Sequence, residues 1–439
     1  MWKGLAWAAL LLALPSIATP QQPPAAPAPV PAAAVSPPPS QATAARISIE
    51  DAIRLAIQHN HALQAARTTI LQSQALETTA NLRPNPTLSW DAQFLPIFQP
   101  SKFDSDYIDN QAQFDMGIGY TFERGKKRQH RLQAAKDQTT VTRSQVTDNE
   151  RTLVANVSQQ FVAVLLAEST LDFAQQDLDS FARTVDISQV QFKAGAMSEG
   201  DFLKIKLQLL QFQTDVSAAK LAKVQALAAL RQFLGFESVP DFYDVDGQLD
   251  YQVVQAGLDD LKALALRSRP DLAAAQQSVT AARSQELLAR ANGKRDLGVS
   301  FNYSHVAATN TGAFFFNIQL PIFDRNQGEI ARTGFVINQA EQLANETSQQ
   351  VVTDVVDAYE ALRASEQIVQ LYRSGYVDQA KQSRDISEYA FRRGAASLLD
   401  YLDAERTYRA NQLAYRQALA TYMSALEQTR QAVGTRNLP

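Results

Sequence analysis

Cysteine is absent from this 439-residue chain, which excludes a disulfide framework, a thiolate metal site and a lipid-carrying N-terminal cysteine. Histidine occurs only four times. His59 and His61 stand two apart in a segment of helical pattern, so they point in different directions and cannot chelate as an i, i+4 pair does. His130 and His305 are isolated, and neither a metal site nor a cofactor follows from the sequence. No phosphate-binding glycine loop, G-x-S-x-G or H-E-x-x-H occurs, so energy from ATP or protons must be coupled elsewhere and an enzyme ranks last. A basic excess is missing too: the net charge of −4 gives no footing for nucleic acid. Half of the 18 prolines fall in residues 20–39, leaving the rest permissive for helix. No run approaches the roughly 20 apolar residues of a membrane-spanning helix.

The N-terminus has Lys3, an apolar run over residues 5–14, then Pro15-Ser16-Ile17-Ala18. That order predicts a secretory signal over residues 1–18. Residues 19–46 are Pro- and Ala-rich and read as an extended linker.

What the chain does have is a duplication. Around Gly195 it reads Phe192-Lys193-Ala194-Gly195-Ala196-Met197-Ser198-Glu199-Gly200-Asp201-Phe202-Leu203. Around Gly394 it reads Phe391-Arg392-Arg393-Gly394-Ala395-Ala396-Ser397-Leu398-Leu399-Asp400-Tyr401-Leu402. Gly235 and Gly434 repeat at nearly the same offset, as do Phe122-Glu123-Arg124 and Phe323-Asp324-Arg325. A period of roughly 200 residues is too long for a solenoid unit of about 20–50. Two equivalent halves are expected, over 47–236 and 259–439, with 237–258 between them.

Each half orders helix, strand pair, very long helix, glycine turn, helix. Ser48 is the expected N-cap of the first helix, with Asp51 at capping-box spacing, and Arg83-Pro84-Asn85-Pro86 stops it. Period 2 then replaces period 3.6, giving strand pairs within 86–122 and 297–322. Their apolar face is expected to carry Trp90, Phe94, Phe114, Met116, Ile118 and Tyr120, then Phe301, Tyr303, Phe314, Phe316, Ile318 and Leu320. Strands of about ten residues suit a tilted crossing of a membrane. A soluble sheet resting on helices would show the same alternation, yet a helical protein offers little to cover two such faces. Four strands cannot close a barrel, since the smallest has about eight, and open edges in lipid cost several kcal/mol per unpaired group. The strands must be shared between copies of the chain.

Residues 126–194 hold no Gly and no Pro, a stretch of roughly 100 Å if it is one helix. Leu153, Val157, Phe161, Val164, Leu171, Leu178, Phe181 and Val185 form a coiled-coil-like seam; Val352, Val355, Tyr359, Leu362, Val369, Tyr372 and Tyr376 repeat it. Glu168 and Glu366 hold matching places, and each tip glycine marks a reversal into an antiparallel helix. The loop 96–110, with Asp104, Asp106 and Asp109, is expected at the exterior end.

These elements resemble the outer-membrane efflux (TolC-like) family from Ile47 to Gly434. Arg83-Pro84-Asn85-Pro86-Thr87-Leu88, Arg269-Pro270-Asp271-Leu272 and Pro321-Ile322-Phe323-Asp324-Arg325-Asn326-Gln327-Gly328 sharpen the resemblance toward the cobalt–zinc–cadmium resistance branch. The resemblance implies a mainly α chain with a membrane β-barrel: a homotrimer in which each chain gives four strands to twelve, continued by a long periplasmic α-helical barrel. It also implies location in the outer membrane of a Gram-negative bacterium, in contact with its lipid. The implied partners are a periplasmic adaptor protein and an inner-membrane RND-type transporter. Adaptor docking carries over to Lys193, Gly195, Ala196, Ser198, Asp201, Arg392, Gly394, Ala395, Ser397 and Asp400, which physically read as a turn and its caps. Asp179, Asp186, Asp378, Asp385 and Glu388 precede the tips; facing a three-fold lumen they would form acidic gate rings, and otherwise a solvated helix face. The implied role is a passive duct for divalent heavy-metal cations. Alternatives are a duct for small organic compounds and, in another class, a periplasmic coiled-coil scaffold or adaptor.

Overall fold

The computed structural model describes residues 45–438; the expected signal and nearly all of the linker lie outside the described residues. A short strand, β1 (Ala45–Ile47), takes in the linker's last two residues and leads into helix α1 (Ile49–His59). Ser48 caps α1 as expected, accepting from the Asp51 amide at 3.2 Å and donating to its carboxylate at 2.8 Å. The first helix does not run unbroken to Arg83. It stops at Asn60, whose side chain accepts from the Leu63 amide and so starts α2 (His61–Ala80). Asparagine supplies its own cap, and hydrophobic period alone does not register such a break.

Strand β2 (Thr87–Gln93) follows, then a loop that is less irregular than expected. It holds a 3₁₀ turn (Pro100–Lys102) and α3 (Ser105–Asn110), capped by Asp104. Strand β3 (Gln113–Phe122) enters α4 (Lys127–Lys193), 67 residues without a break. The chain reverses into α5 (Glu199–Leu234) and crosses to β4 (Tyr243–Val245), which pairs in parallel with β1. The second half repeats the plan: α6 (Leu258–Ser268), α7 (Pro270–Asn292), β5 (Leu297–Val306), β6 (Thr309–Ile318) and α8 (Gln327–Leu371). A π turn (Tyr372–Tyr376) separates α8 from α9 (Val377–Arg392), and α10 (Leu398–Val433) closes the fold.

The duplication extends to single bonds. Asn60 donates to the carbonyl of Phe233, and Arg269, at the matching helix break, donates to that of Ala432. Lys126 and Asn326 start the two long helices from the left-handed region, at φ 60° and 63°. One difference is large. Gly375, at φ 117°, interrupts the second long helix, whereas α4 has no counterpart. The seam expected to continue through Tyr376 ends there, and Tyr376 is exposed.

The sheet runs β2-β3-β5-β6, antiparallel throughout, so β3 against β5 joins the two halves. Between β5 and β6 the turn is Ala307-Ala308, both with positive φ. Alanine gives none of the Asn-Gly signal such turns normally carry, which is why the last strand, expected near 314–320, in fact spans Thr309–Ile318. Two expected face residues fall outside strands: Phe94 follows β2 at φ 56°, where the chain turns away, and Leu320 lies past the end of β6.

Burial is spread along the helices in successive clusters. One packs Ile53, Val157, Phe161, Leu230 and Leu234 under Tyr243 and Val245 of β4. Others gather Leu272, Val351, Val355 and Val433, then Leu362, Val369, Leu419 and Tyr422. A last one, towards the glycine turns, holds Phe181, Ile205, Phe212, Leu398 and Tyr401.

Candidate functional sites: an uncovered sheet, two tips and a buried ionic crossing

The strand register sorts the sheet into two faces. Trp90 sits opposite Met116, which sits opposite Tyr303; Ile118 opposite Phe301, which faces Phe314; Tyr120 opposite Val299, which faces Phe316. With Phe114 and Ile318 these residues share one face, and no other part of the described chain covers it: Trp90 is 67 % exposed, Phe314 and Phe316 70 %. The opposite face carries Ser89, Asp91, Gln113, Asp115, Asn302 and Ser304. Asp91 there lies directly across from Asp115, a like-charge pair that costs stability in a sheet. Gln93 donates to both carboxylates, while Gln113 and Ser304 donate to Asp115.

Both tips are built alike. Gly195 and Gly394 take φ 76° and 72°, a region that glycine enters without steric cost. The Ala196 amide reaches back to the Gln191 carbonyl and the Gly195 amide to that of Phe192; Ala395 and Gly394 repeat both bonds onto Ala390 and Phe391. This is a Schellman ending that satisfies the last carbonyls of each long helix. Ser198 and Ser397 then cap the returning helices through the Asp201 and Asp400 amides. Phe192 stacks on Phe202 at 5.0 Å and Phe391 on Tyr401 at 5.3 Å, closing each hairpin behind its turn. Lys193, Gly195, Ala196, Ser198, Arg392, Gly394, Ala395, Ser397 and Asp400 are exposed; Asp201 is half-buried. Its carboxyl is held below the usual value by the Ser198 hydroxyl and then by Lys204.

The five acidic residues before the tips do not form one group. Asp179 and Asp186 are exposed on α4. Asp378 and Asp385 are exposed on α9 and line one shallow groove with Lys381, Ile386 and Tyr389. Glu388 faces elsewhere: it pairs with Arg392 and accepts from Thr184 of α4, tying α9 to α4.

A more unusual cluster was not legible as a site. Asp177 of α4 and Glu405 of α10 are 4 % and 3 % exposed. Arg409 approaches Asp177 at 2.6 Å and Asp215 of α5 at 2.5 Å, while Arg384 of α9 lies 3.9 Å from Glu405. Arg384 covers the Tyr408 ring and Arg409 that of Phe212. Burial, and next the Asp177 carboxylate, push Glu405 up to about 8. Burial raises Asp177 as well, against the pull of Arg409. Four helices therefore cross on a buried carboxyl pair whose protons are held more tightly than in water. The signal was present: Phe173, Asp177, Phe181, Thr184 and Ser188 step along the buried stripe of α4, but polar members hid that stripe from a search for apolar residues. Leu171, Leu178 and Val185 of the expected seam are only half-buried.

Among the described residues no group of three or more His, Asp or Glu side chains converges as metal ligands. His61 pairs with Glu237 and His305 with Asn310. Among the described residues, no helix is long and apolar enough to cross a membrane.

Comparison with known proteins agrees with this architecture. The family described as "Outer membrane efflux protein" matches residues 52–236 and again 261–435. The chain is 26 % identical over 401 residues to the cobalt-zinc-cadmium resistance protein CzcC of Cupriavidus metallidurans, covering 89 % of this chain and 88 % of that one. A membrane protein from Pseudomonas aeruginosa superposes with a TM-score of 0.73 at 19 % identity, covering 88 % of this chain and 92 % of the other. The open MtrE outer membrane channel of Neisseria gonorrhoeae also gives 0.73 at 19 %, over 88 % and 89 %. The fold class expected from the sequence, a helical chain lending four strands to a shared barrel, is the one these structures have. The chain therefore belongs to the outer membrane efflux protein family, whose members are transport channels and not enzymes.

Proposed function

We propose that this chain forms, as a homotrimer, the outer-membrane duct of a tripartite export system that carries divalent heavy-metal cations out of a Gram-negative cell. The observation that carries the reading is the uncovered apolar sheet face on an otherwise helical chain. Three copies supply twelve strands, which closes the edges that β2 and β6 leave open in one chain. The face of Trp90, Phe114, Met116, Ile118, Tyr120, Phe301, Tyr303, Phe314, Phe316 and Ile318 then meets lipid, and the helices extend into the periplasm.

At the far end, the two exposed tips offer a helical adaptor hairpin a matched pair of sites. Lys193 and Arg392 provide charge there, and Gly195, Ala196, Gly394 and Ala395 allow close approach. An inner-membrane RND-type transporter supplies the energy. Asp378 and Asp385, exposed in one groove on α9, are the residues best disposed to meet cations at a gate, while Glu388 holds α9 against α4. The cargo assignment rests on similarity to the cobalt-zinc-cadmium resistance protein over most of both chains. It is tested by deleting the gene. Loss of tolerance to zinc, cobalt or cadmium, restored by the intact gene, is expected; unchanged metal tolerance with new sensitivity to dyes and detergents would instead assign organic cargo.

A further inference from the structure

The four strand–helix junctions carry a charge pattern that the duct reading leaves unused. Residues 81–86, 123–131, 293–296 and 319–326 together hold nine Lys or Arg against three Asp or Glu, in a chain whose net charge is −4. The other end of the sheet is reversed: residues 94–112 hold Lys102 alone against Asp104, Asp106 and Asp109. Two of the three junction acids are already engaged. Asp296 binds Lys127 at 2.8 Å, and Glu123 binds Arg131 at 2.8 Å. Lys294 and Arg295 turn to a cavity on the polar side of the sheet, shared with Thr121 and Asn317. Arg83, Arg124, Lys126 and Arg325 remain exposed, one or two at three of the junctions, with no carboxylate partner among the described residues.

Beside these cations the apolar face runs on past its last strand. Leu320, Ile322 and Phe323 are 73 %, 62 % and 90 % exposed, and Phe122, at the end of β3, packs edge-on to Tyr120 at 4.8 Å. Arg325 is fixed under this segment by donating to the Pro321 carbonyl at 3.2 Å. Aromatic side chains bordered by unpaired cations at the edge of an apolar band fit the depth where acyl chains give way to phosphate.

We infer that Arg83, Arg124, Lys126 and Arg325 bind the phosphates of anionic phospholipid headgroups in the leaflet nearest the helices. Phe122, Leu320, Ile322 and Phe323 pack against the adjoining acyl chains. Cell-wall carboxylates are a poorer match, because they lie beyond the bilayer and offer nothing to the exposed Leu320–Phe323 segment. The site rests on the proposal that the apolar sheet face sits in the outer membrane.

Full-length protein is reconstituted in phosphatidylethanolamine vesicles, with or without added phosphatidylglycerol, and heat dissociation of the oligomer is followed. Phosphatidylglycerol is expected to raise the dissociation temperature of the natural protein, and high salt to erase the gain. R83Q/R124Q/K126Q/R325Q is expected to match the natural protein in phosphatidylethanolamine alone and to gain nothing from phosphatidylglycerol. Each neutralised charge should weaken phosphatidylglycerol binding by about fivefold. R83K/R124K/R325K keeps the charges and should keep the response. A natural protein indifferent to phosphatidylglycerol, or a glutamine variant that still responds, overturns the inference. So does charge-dependent retention on purified cell wall in place of the lipid response. Failure to insert into either kind of vesicle overturns the membrane reading itself, and the inference with it.

Discussion

Glu405 and Asp177 place two carboxyl groups in a buried crossing of four helices. They face Arg384 from α9, Arg409 and Tyr408 from α10, and Asp215 from α5. Folding raises Glu405 from its ordinary 4.5 to about 8, so the folded chain holds this proton more tightly than the unfolded chain does. The contribution to stability is complete below the unfolded value and fades as pH climbs from 4.5 towards 8. The heat-dissociation temperature of the natural protein should therefore fall as pH is raised through that window. Glu405→Gln, which is neutral at every pH, should flatten the profile and raise the alkaline end by a few degrees, on the order of 2–4 °C. A variant profile parallel to that of the natural protein would remove Glu405 as the cause. At this scale the sequence was partly readable. The tip glycines and their Ser and Asp caps stood out because two copies of one motif reinforce each other. Asp177 and Glu405 did not, since a buried acid is recognised only by what surrounds it.

The elements were legible where a single period ran uninterrupted. The 67 residues of α4 and the alternation in β3 and β5 needed only hydrophobic spacing and the absence of helix breakers. The misses are places where local chemistry overrides period: the cap at Asn60, the glycine at Gly375, and the alanine pair between β5 and β6. That alanine pair is strained, for an L-residue with a side chain loses roughly 1–2 kcal/mol in the left-handed region. Ala307→Asn with Ala308→Gly should relieve it and stabilise the folded chain by about 1 kcal/mol, read as a higher dissociation temperature. A loss of stability would show that the turn gains more from its contacts than it gives up in backbone strain. One such contact is the bond from the Ala308 amide to the Asp109 carbonyl.

At the scale of the whole molecule, the uncovered face and the two open sheet edges call for sister chains and for lipid. Purified protein is expected as a trimer that needs detergent to stay in solution and that conducts ions across a planar bilayer. Phe114→Asp with Phe316→Asp puts charge on the proposed lipid face, each at a cost somewhat below the roughly 2–4 kcal/mol of a Lys or Arg near the midplane. It should abolish insertion while leaving helix content intact. A doubly substituted chain that still conducts would move the membrane contact elsewhere. The pairing of β3 with β5 has one more consequence, for biosynthesis. Phe122 pairs with Leu297, and the whole of α4, α5, α6 and α7 lies between them in the chain. While the ribosome is still making α5, β3 has a partner only in β2, and its other side stays unsatisfied until the second half is translated. A nascent or truncated chain of this protein thus carries a sticky edge, and a holding chaperone is what its early life requires.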